Sequence, residues 1–137
     1  MKVIGTAAFI KRHAEIIQAA KASASSSTER EAAVQVAQVM QILGGLAEEP
    51  TEDSQTIRRV LVATHHAIWR VRPVSHSRDV QIRVLVWFRG GAVVALLLGN
   101  KALLQELWYS AAADQAERMV DQLQRIEATK ERKEGDD

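Results

Sequence analysis

Arginines that alternate with apolar residues are the side chains of this sequence best suited to chemistry. Arg70 and Arg72 lie in the segment 67–72, and Arg83 lies in the longer run 80–88. Strict alternation is typical of a strand with one buried face, so these side chains are expected to project from a sheet. A guanidinium on a rigid strand can bind a phosphate through two hydrogen bonds and stabilise negative charge that develops during a reaction.

Basic residues are concentrated between Ile57 and Lys101, although the formal net charge of the 137-residue chain is only +1. This segment holds one acid, Asp79, and its net charge is +7. Its basic residues are Arg58, Arg59, Arg70, Arg72, Arg78, Arg83, Arg89 and Lys101. The asymmetry favours either a face directed at a polyanion or solvated arginines on the outer side of a sheet.

Histidines and aromatic residues in the same region offer further chemistry. Adjacent strand residues point to opposite faces, and no carboxylate stands at ligand spacing from His65 and His66, so we predict no metal and no cofactor. His66 is a candidate general base, with a polar turn as the alternative interpretation. Trp87, Trp108 and Tyr109 provide either stacking surfaces for unpaired bases or ordinary core packing.

Two helices are predicted before the basic segment. Thr6 can cap a helix over residues 7–22. Thr28 and Glu31 form a capping box for a second helix, which the pair Gly44-Gly45 ends in the left-handed conformation. Their apolar stripes predict an antiparallel helical hairpin.

A small antiparallel sheet of three to five strands is predicted to carry the arginines. The expected strands are residues 2–5, 57–61 (a strand or one helical turn), 67–72, 80–88 and 92–98. Gly90-Gly91 joins the last two strands as a hairpin, and Lys101 follows the end of the final strand.

A final amphipathic helix is predicted from about Ala111 to Lys133, with Ser110 as its cap. Residues 1–128 are expected to form one α+β domain, in which the helical hairpin and this helix pack on the sheet. Residues 129–137 are expected to form a charged tail that frays.

The composition indicates a cytoplasmic protein. The chain has no cysteine, which excludes disulfides and thiolate metal sites and suits a reducing compartment. The first residues lack the long apolar core of a signal peptide. The longest apolar run, Ala92–Leu98, is too short to span a bilayer, so no membrane association is expected.

Four segments, in this order and spacing, resemble the phage-derived, HigB-like branch of the RelE/ParE toxin superfamily. They are WRVRPVS at 69–75, VQIRVLVWF at 80–88, GAVVALLLGNK at 91–101 and LWYSAAADQAE at 107–117. The resemblance covers about residues 69–123, and the two preceding helices agree with the helical hairpin of that fold.

The resemblance implies the toxin of a type II toxin–antitoxin pair, which cleaves mRNA on the ribosome without a metal and is neutralised by a helix-turn-helix antitoxin. It places Arg72, Arg83 and Lys101 on the family's basic positions and Tyr109 on its aromatic one. The catalytic candidates are therefore Arg83, Lys101, Tyr109 and His66. The candidates for RNA binding are Arg70, Arg72, Arg78 and Arg89.

Two other functions stay open for the same fold. Some members of the superfamily poison DNA gyrase, and such an inhibitor would leave messages intact. A phage or prophage protein that keeps the fold as an interaction module would be neither toxic nor catalytic, and the low net charge of the whole chain favours it.

Overall fold

The described residues of this chain form three α-helices and five strands. A computed structural model describes residues 1–103 and 107–135. The elements are β1 (Lys2–Gly5), α1 (Ala7–Lys21), α2 (Ser27–Gly44), β2 (Ile57–Arg59), β3 (Ile68–Val71), β4 (Ile82–Arg89), β5 (Ala92–Asn100), a 3₁₀-helical turn (Lys101–Leu103) and α3 (Leu107–Gly135). Within the described ranges, no helix combines the length and apolar character needed to cross a membrane.

The five strands form one mixed sheet in the order β1-β5-β4-β3-β2. The α+β class is confirmed, and β5 is an interior strand because β1 and β4 flank it. The prediction of a wholly antiparallel sheet is wrong for one pair, since β1 runs parallel to β5. Alternation of apolar and polar residues indicates which face of the sheet a side chain lies on. It does not indicate whether the neighbouring strand is parallel or antiparallel.

The hairpin and the last helix pack on the sheet as predicted, and they cover opposite faces of it. The α1–α2 hairpin packs on the face that carries Val71, Val84 and Val86. On the other face, α3 packs against Ile68, Leu85 and other apolar side chains through a buried stripe formed by Ala112, Ala113, Ala116 and Val120. This stripe lies in the N-terminal half of α3, so the rest of the helix is largely exposed.

The start of α1 agrees with the prediction from the sequence, whereas the start of α2 does not. Thr6 caps α1 by accepting a hydrogen bond of 3.1 Å from the Phe9 amide. The capping box of α2 is Ser26 with Glu29, two residues before the predicted Thr28–Glu31 pair. Both pairs satisfy the sequence pattern, and α2 begins at the earlier one. The helix ends at the predicted glycines, but Gly45 is right-handed rather than left-handed (φ −87°, ψ −6°).

The β4–β5 hairpin turns at Gly90-Gly91 as predicted, with Gly90 at a positive φ of 58° that favours glycine. A β-bulge interrupts the ladder, because Val86 pairs with Ala95 while Leu85 pairs with Leu97. The extra residue in β5 places Gly99, and not the larger Leu98, opposite Arg83.

The last helix begins earlier than its predicted start at Ala111. It starts at Leu107, so Ser110 lies inside the helix and does not cap it. The indole of Trp108 lies over Gly99, where a β-carbon would come within 2.6 Å of its Nε1 atom. The helix continues to Gly135, through most of the predicted tail, and residues 136 and 137 lie outside the described residues.

Candidate functional site

Arginines from three neighbouring strands share the sheet face on which α3 packs. Arg58 of β2 lies opposite Arg70 of β3. Val71 pairs with Val84, so Arg72, one residue past the end of β3, comes next to Arg83 of β4. Each of these positions alternates with residues that face the helical hairpin, as the sequence predicts for Arg70, Arg72 and Arg83.

Lys101, Tyr109 and His76 complete this group. Lys101 begins the 3₁₀ turn after β5, and its Nζ atom lies 5.1 Å from the centre of the Tyr109 ring. The Nδ1 atom of His76 lies 3.2 Å from a terminal guanidinium nitrogen of Arg83. We call this set the basic cluster: it comprises Arg58, Arg70, Arg72, His76, Arg83, Lys101 and Tyr109.

Arg83 is the buried centre of the basic cluster, with only 1% of its surface exposed. One terminal nitrogen donates a hydrogen bond of 2.8 Å to the Ile82 carbonyl, and the other contacts His76. The Tyr109 hydroxyl lies close enough to favour the charged guanidinium. Within the described residues, however, neither that hydroxyl nor the Arg83 Nε atom completes a hydrogen bond, although both atoms are buried.

The electrostatic surroundings of Arg83 are unfavourable for its charge. Burial lowers the pKa of Arg83 most strongly, Tyr109 offsets part of this, and Arg72 and Arg70 lower it further. Arg72 shows the same trend, since burial, Arg70 and Arg58 lower its pKa. A buried cation among like charges costs free energy unless a partner of opposite charge is bound.

No ion pair in the described part of the chain neutralises Arg83. The pairs found there are Arg12–Glu15, His66–Asp121 and Arg89–Glu127. Buried charges in proteins are normally paired or hydrogen-bonded. The arrangement therefore fits a site whose counter-charge is supplied by a bound anion.

The surroundings of the His76 imidazole disfavour its protonated form. Burial lowers its pKa, and the positive charges of Arg83, Arg72, Lys101 and Arg70 lower it further. Because a guanidinium only donates hydrogen bonds, Nδ1 must be the acceptor and the proton must sit on Nε2. A bound anion could therefore receive a hydrogen bond from Nε2 of this histidine.

An open cavity of about 390 Å³ adjoins the basic cluster. Four members of the cluster line it: Arg58, Arg70, Lys101 and Tyr109. The remaining lining residues come from β2 and the turn after it: Arg59, Val60, Leu61 and Val62. The cavity thus combines cationic and apolar side chains.

The structure brings together five of the eight residues selected from the sequence: Arg70, Arg72, Arg83, Lys101 and Tyr109. The other three are His66, Arg78 and Arg89, and none of them contributes to the charge effects on Arg72, His76 or Arg83.

These three residues have other surroundings. His66 donates a hydrogen bond of 2.7 Å to Asp121 of α3. Arg89 pairs with Glu127 and lies 5.7 Å from the centre of the Trp87 ring. Arg78 is exposed in the loop before β4.

Two members of the basic cluster were not selected from the sequence. Arg58 lies in a segment whose pattern fits a strand or a helical turn, and His76 lies in a polar turn. The alternating arginines of the sequence predict a sheet face that carries Arg70, Arg72 and Arg83. The pairing of β2 with β3 is needed to show that Arg58 lies on the same face. Of the two tryptophans considered for base stacking, Trp87 is buried against α3, and Trp108 packs on Gly99.

Comparison with models of known protein families, with curated proteins and with solved structures gave no match to this chain. The basic cluster and the resemblance of the four sequence segments are therefore the basis of the proposed function.

Proposed function

We propose that this chain is the toxin of a type II toxin–antitoxin pair, of the RelE/ParE kind, and that it cleaves mRNA at the basic cluster. The observation that carries the proposal is the buried guanidinium of Arg83, which has an unpartnered Nε–H and no carboxylate partner among the described residues. A phosphodiester supplies the missing negative charge. A preorganised guanidinium also stabilises the additional charge of a phosphorane transition state.

In the proposed reaction the ribose 2′-oxygen attacks the adjacent phosphorus and the bond to the 5′-oxygen breaks. The products are a 2′,3′-cyclic phosphate and a 5′-hydroxyl. Arg72 and Lys101 hold the phosphate oxygens, the buried Arg83 lies behind them and adds positive charge to the site, and the Tyr109 hydroxyl orients the 2′-hydroxyl. Water takes the proton of the nucleophile and returns one to the leaving oxygen, since His66 bonds Asp121 instead of joining the cluster.

The proposed setting follows from the resemblance. The toxin acts in the cytoplasm on messages held by the ribosome, and a cognate helix-turn-helix antitoxin neutralises it. A helix-turn-helix reading frame beside the gene would support this setting.

Induced expression with primer extension on total RNA tests the proposal. Wild-type protein is expected to arrest growth and create new 5′ ends in messages, whereas Arg83→Ala and Arg72→Ala should do neither. Arg12→Ala is the matched control, because Arg12 is exposed and its ion pair among the described residues is with the exposed Glu15. Toxicity that survives both cluster substitutions would remove the basic cluster from the mechanism. Growth arrest with intact messages would instead indicate a gyrase inhibitor.

A second candidate function is an anion-binding interaction module that does not cleave. It is favoured by the state of His76, whose Nδ1 atom accepts from Arg83 and so does not serve as a free base. This alternative predicts phosphate binding at Arg83 together with no growth arrest and no new RNA ends.

A further inference from the structure

The turn between β2 and β3 presents two large apolar side chains to solvent. The Ala63 amide donates a hydrogen bond of 3.2 Å to the Val60 carbonyl, which places Leu61 and Val62 at the centre of the turn. Leu61 is 84% exposed and Val62 is 61% exposed. Gly, Asn, Asp, Ser and Pro are the residues that favour such positions. The two side chains therefore contribute little to the fold. Large apolar residues at turn positions that favour small or polar ones point to a functional role.

Leu61 and Val62 form the apolar wall of the cavity that adjoins the basic cluster. Arg58, Arg59, Arg70, Lys101 and Tyr109 line the same cavity, and Arg70 and Tyr109 also act on the charge of the buried Arg83. The cavity volume of about 390 Å³ is near the lower end of the usual range for small-ligand pockets, roughly 300–1,000 Å³. It suits a single nucleotide unit and not a duplex.

We propose that this cavity binds the sugar and base of one ribonucleotide whose phosphate lies at Arg58, Arg70 and Lys101, with the base packed on Leu61 and Val62. The assignment rests on the proposed function and names the part of an RNA strand that the site takes. A nucleotide combines the two properties that the cavity offers, since it is an anion attached to a flat ring with apolar faces. Bases in a duplex are stacked on one another, so the ligand is an unpaired nucleotide of a single strand.

Three soluble probes separate the anion site from the base site: inorganic phosphate, ribose 5-phosphate and adenosine monophosphate. We expect wild-type protein to bind adenosine monophosphate about tenfold more tightly than ribose 5-phosphate by isothermal titration calorimetry, because the base buries part of its apolar face on Leu61 and Val62. The double variant Leu61→Ser/Val62→Ser should lose that margin and keep its affinity for the other two probes. Both substitutions are at exposed positions, so the fold is expected to be retained.

Val34→Ser is the matched control, because Val34 is 57% exposed on α2 and does not line the cavity. It should leave all three affinities unchanged. Equal binding of adenosine monophosphate and ribose 5-phosphate by the wild type would overturn the base site and leave the anion site in place. If the double variant still binds adenosine monophosphate more tightly than ribose 5-phosphate, the base site at Leu61 and Val62 would also be overturned. These two side chains would then be assigned to contact with a protein partner. Failure of all three probes to bind would overturn both the base site and the proposed function at the basic cluster.

Discussion

Replacing Arg83 with methionine is expected to stabilise the protein while removing its anion site. Methionine is apolar and flexible enough to occupy the space of the arginine side chain. The substitution removes two hydrogen bonds, to Ile82 and His76, each of which contributes about 1.5–3 kcal/mol because the guanidinium donor is charged. It also relieves the unpartnered Nε–H, which costs about 1–3 kcal/mol, and the desolvation of the charge, which costs several kcal/mol more.

Together these terms raise the free energy of unfolding of the variant above that of the wild type by about 1–3 kcal/mol in a buffer free of phosphate and sulfate. For a chain of this size, that gain corresponds to a rise in Tm of roughly 3–10 °C. Urea unfolding followed by circular dichroism measures the free energy of unfolding directly. Arg12→Met is the control, because this exposed arginine should change stability by less than about 0.5 kcal/mol.

Added phosphate should reverse the order of stability. A ligand present at 100 times its Kd stabilises the protein that binds it by about 2.7 kcal/mol, so wild-type protein gains this amount and the Arg83→Met variant gains none. A variant that is less stable than wild type without phosphate would show that Arg83 is a structural residue. Equal stabilisation of both proteins by phosphate would place the anion elsewhere.

Three further substitutions test other parts of the structure. The pKa of His76 is lowered from its ordinary value of 6.5, chiefly by burial and then by Arg83, so the unfolded chain takes up this proton first. Stability should therefore fall as the pH drops below about 6.5, and His76→Gln should flatten that slope in urea titrations at several pH values. Gly99→Ala should cost about 1–3 kcal/mol by displacing the indole packed on it. The open position Gly91 should accept alanine with little change, and equal costs at the two glycines would contradict this packing. Gln35→Leu should cost about 2–4 kcal/mol in the same assay, because the buried amide bonds both the carbonyl and the amide that flank the start of β4. A Gln38→Leu control should be nearly neutral, and a comparable loss there would point to helix destabilisation instead.

Local patterns in the sequence predicted the parts of the fold that depend on local physics. The alternation in 80–88 predicts a strand because residues two apart share a face, and Gly90-Gly91 predicts its turn because glycine tolerates a positive φ. The start of α2 was misplaced because Ser26–Glu29 and Thr28–Glu31 offer overlapping capping boxes.

The candidate site depends on long-range pairing, which local patterns do not report. Arg70 and Arg83 could be selected because each lies in an alternating strand. Arg58 and His76 join them only through the pairing of β2 with β3 and the path of the loop before β4. His66 was selected for its type alone, and its neighbour Asp121 is 55 residues away in the chain.

The bulge in β5 gives the hairpin a position at which its length can change without loss of the site. If Leu97 were deleted, Leu96 would pair with Leu85 and the ladder would become regular. Leu98 and Gly99 would stay opposite Val84 and Arg83, because the deletion removes the one extra residue of β5 and leaves the pairing on each side of the bulge unchanged. A deletion of Asn100 would instead bring Lys101 opposite Ile82 and displace its Nζ atom from the Tyr109 ring. Homologous chains that keep the arginine face should therefore vary in length at the bulge and hold the spacing from Gly99 to Lys101 constant.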